Sequence, residues 1–125
     1  MKTLAAIVVV LLVTQGSLSA QASSLAPYAS QVEKQLARLR SDSASERAGA
    51  AEALGFMRAY EAQDALLALL DDRSAFVRRE AALALAWCGD RTGVAPLLEM
   101  LTDGDWTVRQ TAHVSLTNLT GLEFP

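Results

Sequence analysis

Cys88 and His113 are the only cysteine and the only histidine in this chain of 125 residues. A cysteine beside a histidine would make a thiol nucleophile with its base, and histidines grouped with cysteines or carboxylates would hold a transition metal. Neither set is complete. A single cysteine can form neither an internal disulfide nor a thiolate cage, and no orienting group accompanies Cys88 or His113. The adjacent acids Asp71 and Asp72 would suit general acid/base work, but they open the short polar stretch Asp71-Asp72-Arg73-Ser74, which reads as a turn. No Gly-rich phosphate loop and no serine elbow is present. The sequence therefore implies no catalytic set, no bound metal and no cofactor.

Recognition is the chemistry that remains. Aromatic and arginine side chains anchor interfaces, and Phe56, Arg79, Leu83, Trp87, Gln110 and Val114 are the candidate partner-binding residues. Leu83 and Trp87 lie one helical turn apart. They make either an apolar ridge with Phe56, edged by Arg79 and Glu80, or a cover in which Phe56 and Trp87 fold over an inter-helix seam. The formal net charge is −3, from 11 Lys+Arg against 14 Asp+Glu, which lacks the basic footprint of a general nucleic-acid binder. A hydrophobic content of 51% is too high for a disordered tail, and the length allows one small domain.

The elements that position these residues recur every 31 positions. Arg47, Arg78 and Arg109 fall in register, as do Leu54, Leu85 and Leu116; Leu39, Leu70 and Leu101; Leu36, Leu67 and Leu98; and Ala50, Ala81 and Ala112. Each unit reads as two helices joined by a tight polar turn, with apolar residues at helical spacing and no strand alternation. Ser43, Ser74 and Asp105 end the turns and are expected N-caps, with Glu46 completing a capping box on Ser43. Val77, Ala81, Ala84, Leu85 and Cys88 form the inner stripe of the middle unit's second helix, and Gly89 suits a left-handed cap. Trp106, at the start of its helix, reads as a packing residue, and His113 as a polar flank residue. A helix pair this small cannot bury its apolar face alone, so the expected fold is an all-α solenoid of about three stacked antiparallel pairs, near residues 26–58, 59–89 and 90–121.

Leu67-x-x-Leu70, Asp72, Val77-Arg78-x-x-Ala81-x-x-Ala84-Leu85 and Gly89-Asp90, repeated as Leu98-x-x-Leu101, Asp103, Val108-Arg109-x-x-Ala112 and Leu116, resemble HEAT repeats. More narrowly, they resemble the short bacterial repeats first recognised in phycobilisome lyases. The resemblance covers about residues 26–125. It implies a ladder between repeats built from the turn aspartate and the arginine six positions later, here Asp72 with Arg78 and Asp103 with Arg109. Ser41 takes the aspartate's place in the first unit, whose first helix has fewer apolar residues, as a capping repeat would. The His-Glu pairs of iron-binding HEAT-repeat hydroxylases are missing, since Val114 follows His113. The lyases of the resembled class attach open-chain tetrapyrroles, but the shared repeat is a scaffold and does not itself carry that activity.

Lys2, the apolar run Leu4 to Val13 and the small-residue exit Ala20-Gln21-Ala22 read as a secretory signal peptide over residues 1–22, cleaved after Ala20 or Ala22. Ten apolar residues span only about 15 Å as a helix, about half a bilayer core, so no stable membrane anchor is expected after cleavage. The expectation is an exported, periplasmic or secreted protein-binding scaffold without catalysis and with an unidentified protein partner. The alternative is a homo-oligomer assembled through open solenoid ends, and bilin lyase-like or accessory activity ranks behind both.

Overall fold

The computed structural model describes residues 25–123, so the segment read as a signal peptide lies outside the described residues. The described residues fall into two units, 25–31 and 32–123. In the first, residues 25–31 are helical and exposed. The second carries the repeats. Helix α1 is described over residues 25–38, followed by α2 (Ala44–Phe56), α3 (Gln63–Ala68), α4 (Ala75–Cys88), α5 (Val94–Glu99) and α6 (Trp106–Thr120). No strand occurs among the described residues, and the fold is the all-α solenoid of helix pairs expected from the register.

The two helices of a pair differ in kind. The second helices α2, α4 and α6 are regular and have 13, 14 and 15 residues. The first helices α3 and α5 are six-residue α segments extended at both ends by 3-10 turns, Tyr60–Ala62 and Leu69–Asp71 around α3, Arg91–Gly93 and Met100–Thr102 around α5. Helices α2, α4 and α6 pack in a row, with α3 against α4 and α5 against α6.

The core is the repeat made physical. Leu54, Leu85 and Leu116 are fully buried, as are Ala50, Ala81 and Ala112. Burying each leucine contributes roughly 1.5–3 kcal/mol. In the first helices the fully buried column is Leu66 and Leu97, whereas Leu98 is exposed. The same column in the first pair holds Gln35, which accepts from Arg38 instead of entering a core. Leu36, beside it, packs only partly against the core. That substitution makes the first pair's layer more polar at this position.

Close approach of the second helices depends on small residues. A Cβ on Gly55 would lie 2.9 Å from the Cα of Ala84, so α2 and α4 touch there at backbone distance. Between α4 and α6 the Ser115 hydroxyl, the one buried serine among the described residues, donates to the Ala82 carbonyl of the neighbouring helix at 2.7 Å.

Several turn details differ from the sequence reading. Ser43 accepts from the Glu46 amide and Asp105 from those of Thr107 and Val108, but the Ser74 side chain caps nothing. Asp72 instead binds the turn before it, its Oδ1 accepting from the Ser74 amide at 2.9 Å as Asp103 does from Asp105. Glu46 does not close a box on Ser43, because Ser41 intervenes: its Oγ accepts from the Ser43 amide and donates to the Glu46 carboxylate. Gly89 is extended (φ −85°, ψ 169°), not left-handed. Glycine fits there because a Cβ would stand 2.4 Å from the Leu85 carbonyl oxygen, which the Gly89 amide itself binds at 2.8 Å. The left-handed glycine cap belongs to Gly121, with φ 69°.

Candidate functional site

The second helices present one face to the first helices and leave another open. Along the open side of α4 run Phe76, Arg79, Glu80, Leu83 and Trp87, at spacings of three and four that keep them on one stripe. Phe76 and Trp87 are each 47% exposed, Leu83 37% and Val114 on α6 45%, while Phe56 at the end of α2 reaches 77%. Two grooves flank this stripe. The first, between α2 and α4, is lined by Glu52, Gly55, Phe56, Glu80, Leu83 and Trp87. The second, between α4 and α6, is lined by Arg79, Leu83, Trp106, Gln110 and Val114 among others. Leu83 is the wall they share.

The six candidate residues from the sequence line these two grooves; Phe56 is largely exposed, and Trp87 is half-buried at the groove between α2 and α4. Trp106 is a correction. It is 64% exposed and lines the second groove, because its position in the first turn of α6 projects over the gap toward Arg79 and Leu83 and not into the core. Phe76 was not singled out from the sequence, although its spacing of seven before Leu83 and eleven before Trp87 continues the same stripe.

Charges along the stripe are held in place. Arg79 donates from Nε and Nη2 to Oε1 of Glu80 at 3.0 and 2.7 Å, and its guanidinium stands 5.0 Å from the Phe76 ring centre. Glu80 itself is buried, so the floor of the first groove carries a neutralised carboxylate. Arg58 covers Trp87 at 5.8 Å from the ring centre. It does so from a left-handed backbone, φ 50°, at the end of α2. The Ala59 amide returns to the Leu54 carbonyl and the Arg58 amide to that of Gly55, the Schellman pattern in which glycine usually holds this position. An arginine there costs roughly 1 kcal/mol of backbone strain, and in exchange its cation lies at the groove edge.

The other charged feature is the ladder, and its pairing differs from the expected one. Arg47 donates from Nε and Nη2 to the Asp72 carboxylate at 2.9 and 3.0 Å, and Arg78 does the same to Asp103 at 2.9 and 3.0 Å. Each arginine therefore binds the aspartate of the following repeat. Asp72 and Asp103 are reached by Arg78 and Arg109, six positions on, only through their main-chain carbonyls, which accept from Nη1 at 2.8 and 2.7 Å. The reason is reach: one guanidinium spans both partners, with Nη1 spent on its own turn and the Nε–Nη2 edge turned outward. Hydrogen bonds from Arg78 hold the Asp103 carboxyl below its usual range. Burial works against the charge on Asp72, but the bonds from Arg47 and the Ser74 amide outweigh it, and this carboxyl too is held low.

This arrangement of paired helices, arginine rungs and 31-residue register has a match. The sequence profile of HEAT repeats matches residues 32–117. The chain belongs to the HEAT-repeat family. HEAT repeats are generally protein-interaction scaffolds, and the open stripe on α4 lies on the second helices of the stack. No curated protein matches the chain. Among the described residues no cluster of three or more His, Cys, Asp or Glu is placed to hold a metal ion, and no helix is long and apolar enough to cross a membrane.

Proposed function

We propose that this HEAT-repeat chain is an exported, non-catalytic scaffold that binds a protein segment across the two grooves of its second helices. The observation that carries the reading is the exposed apolar stripe of Phe56, Leu83 and Trp87 with Val114 and Trp106 beside it. Isolated exposed apolar residues are ordinary, but several large ones in contiguous grooves mark interaction sites. The grooves suit an apolar anchor on either side of Leu83, with polar groups at the rim: Glu52 and Arg58 along the first groove, Arg79 and Gln110 along the second. Aromatic rings under arginines are the anchors that interfaces favour.

Export is supported by Lys2, the apolar run from Leu4 and the Ala20-Gln21-Ala22 exit. N-terminal sequencing of the protein recovered from a secreting host tests it; a chain that still starts at Met1 overturns it. For the scaffold, affinity capture from the envelope fraction is compared between wild type and a Leu83→Ala/Trp87→Ala double variant that is folded at the temperature of the assay. A partner retained by wild type and lost by the variant is expected. Equal recovery of every partner overturns the groove as the binding site. Non-catalysis includes the lyase-like alternative, for which exposure to bilins should leave the visible spectrum of the purified protein featureless.

A further inference from the structure

We propose that the groove between α2 and α4 selects a peptide segment in which an acid stands one or two positions from a large apolar residue, and that Arg58 receives this acid. The inference rests on the groove being the binding site and names the chemistry of its occupant.

The strain at Arg58 serves no contact of the ladder or the core. Its φ of 50° closes the Schellman turn after α2, where glycine would need no such distortion. The side chain so placed is exposed and binds no carboxylate among the described residues, neither Glu52 six positions before it nor Glu61 three after. Arg47, Arg78 and Arg79 each hold one. What Arg58 meets instead is the Trp87 ring, with the guanidinium carbon 5.8 Å from its centre. That contact steadies the cation at the edge of the groove and leaves its N–H donors unused. A strained surface residue held beside an apolar groove points to a ligand, and a guanidinium with a free fork selects a carboxylate.

The rest of the groove decides where that acid can stand. Phe56, Leu83 and Trp87 line an apolar stretch over the close contact of Gly55 with Ala84. Glu52 and Glu80 line the same groove. The Glu80 charge is answered by Arg79, whereas Glu52 is exposed and unpaired among the described residues. Six residues of helix place Glu52 about 9 Å along α2 from Arg58. A partner's acid is therefore attracted at the Trp87 end and repelled beside Glu52, and this pattern sets the direction in which the segment lies. One turn, about 5.4 Å, separates Leu83 from Trp87, and an extended chain advances about 3.4 Å per residue. An apolar side chain on Leu83 and a carboxylate at Arg58 thus come from residues one or two positions apart.

Selection of a display library of random dodecapeptides on the full chain tests the proposal, with Arg58→Gly and Leu83→Ala/Trp87→Ala selected in parallel. Wild type is expected to enrich peptides that carry Asp or Glu one or two positions from a large apolar residue. In a synthetic copy of such a peptide, changing the acid to its amide should weaken binding to wild type by about three- to tenfold and to Arg58→Gly by less than about twofold. Arg58→Gly should melt at the wild-type temperature or up to about 5 °C above it, since glycine relieves the turn. Anchored peptides that lack the acid, that carry a base in its place, or whose acid matters equally to Arg58→Gly overturn the role of Arg58 and leave the groove standing. A lowered melting temperature for Arg58→Gly also overturns it, because the arginine would then be held for the fold. Peptides without an apolar anchor, peptides that bind Leu83→Ala/Trp87→Ala as tightly as wild type, or no enrichment at all overturn the groove itself and the inference with it.

Discussion

Arg78 holds Asp103 across 25 residues of chain by two N–H···O bonds of 2.9 and 3.0 Å, while its remaining nitrogen binds the Asp72 carbonyl at 2.8 Å. One side chain thereby joins two turns. Asp103→Asn keeps the shape and removes the charge, and should cost about 1–2 kcal/mol, since the pair is partly exposed and solvent moderates it. Urea unfolding should show a lower midpoint at unchanged slope. Arg78→Lys should not preserve stability, because an ammonium cannot bridge carboxylate and carbonyl in the same geometry.

Acid should weaken the fold through the same groups. The Asp72 and Asp103 carboxyls titrate below their usual range in the folded chain. Their contribution is then fully present above the unfolded value of about 4 and is lost as pH falls through the folded values. Thermal stability measured from pH 6 downward should drop in that window, and Asp103→Asn should show a shallower drop than wild type. Equal slopes would mean that other groups govern the acid response.

Two helical glycines should respond with opposite signs. Gly49→Ala meets open space and should stabilise by roughly 0.5–1 kcal/mol through helix propensity. Gly55→Ala gains the same propensity but pushes a methyl to within 2.9 Å of the Ala84 backbone. Overpacking of about 1–3 kcal/mol should make it a net loss. Paired melting curves decide this, and stabilisation by both would show that α2 and α4 can separate freely.

Cys88 should be silent in the folded protein. Its side chain is fully buried with Sγ 3.2 Å from the Ala84 carbonyl, and burial, helped by Glu61, pushes the thiol up to about 11. Alkylation at pH 8 should proceed only through opening of the fold and become fast in denaturant. Rapid stoichiometric labelling of the native chain would contradict the burial.

Leu83→Ala and Trp87→Ala should each cost about 1–2 kcal/mol, less than truncation of a core leucine, because both side chains are only partly buried. Iodide should quench the emission of Trp87 and Trp106 alike. A large loss of stability in either variant would instead assign these residues to the core.

The stack was legible in the sequence because burial repeats with it: Leu54, Leu85 and Leu116 had to share one environment, and do. The ladder was legible in its members but not in its partners. An arginine six residues after one aspartate is also 25 residues before the next, and only the length of the guanidinium arm decides between them. Trp106 was misread for a related reason. First-turn positions of α6 overhang the groove, and helical spacing alone does not distinguish an overhang from a core. Arg58 left no signal at all, since a left-handed arginine is set by the Schellman turn around it and not by its own preference.

Because every rung points from an arginine to the acid of the following repeat, the helix row has a grain. Loss of the last pair strips Arg78 of its carboxylate yet leaves the turn it braces intact, whereas loss of the first leaves Asp72 still held by the Ser74 amide. At either end the hydrogen bonds of the adjoining turn thus survive, while the face of α4 that packed on the lost pair is uncovered. A coupling of this kind lets the array lengthen or shorten by whole pairs without rewriting its middle, provided each added unit respects the same direction.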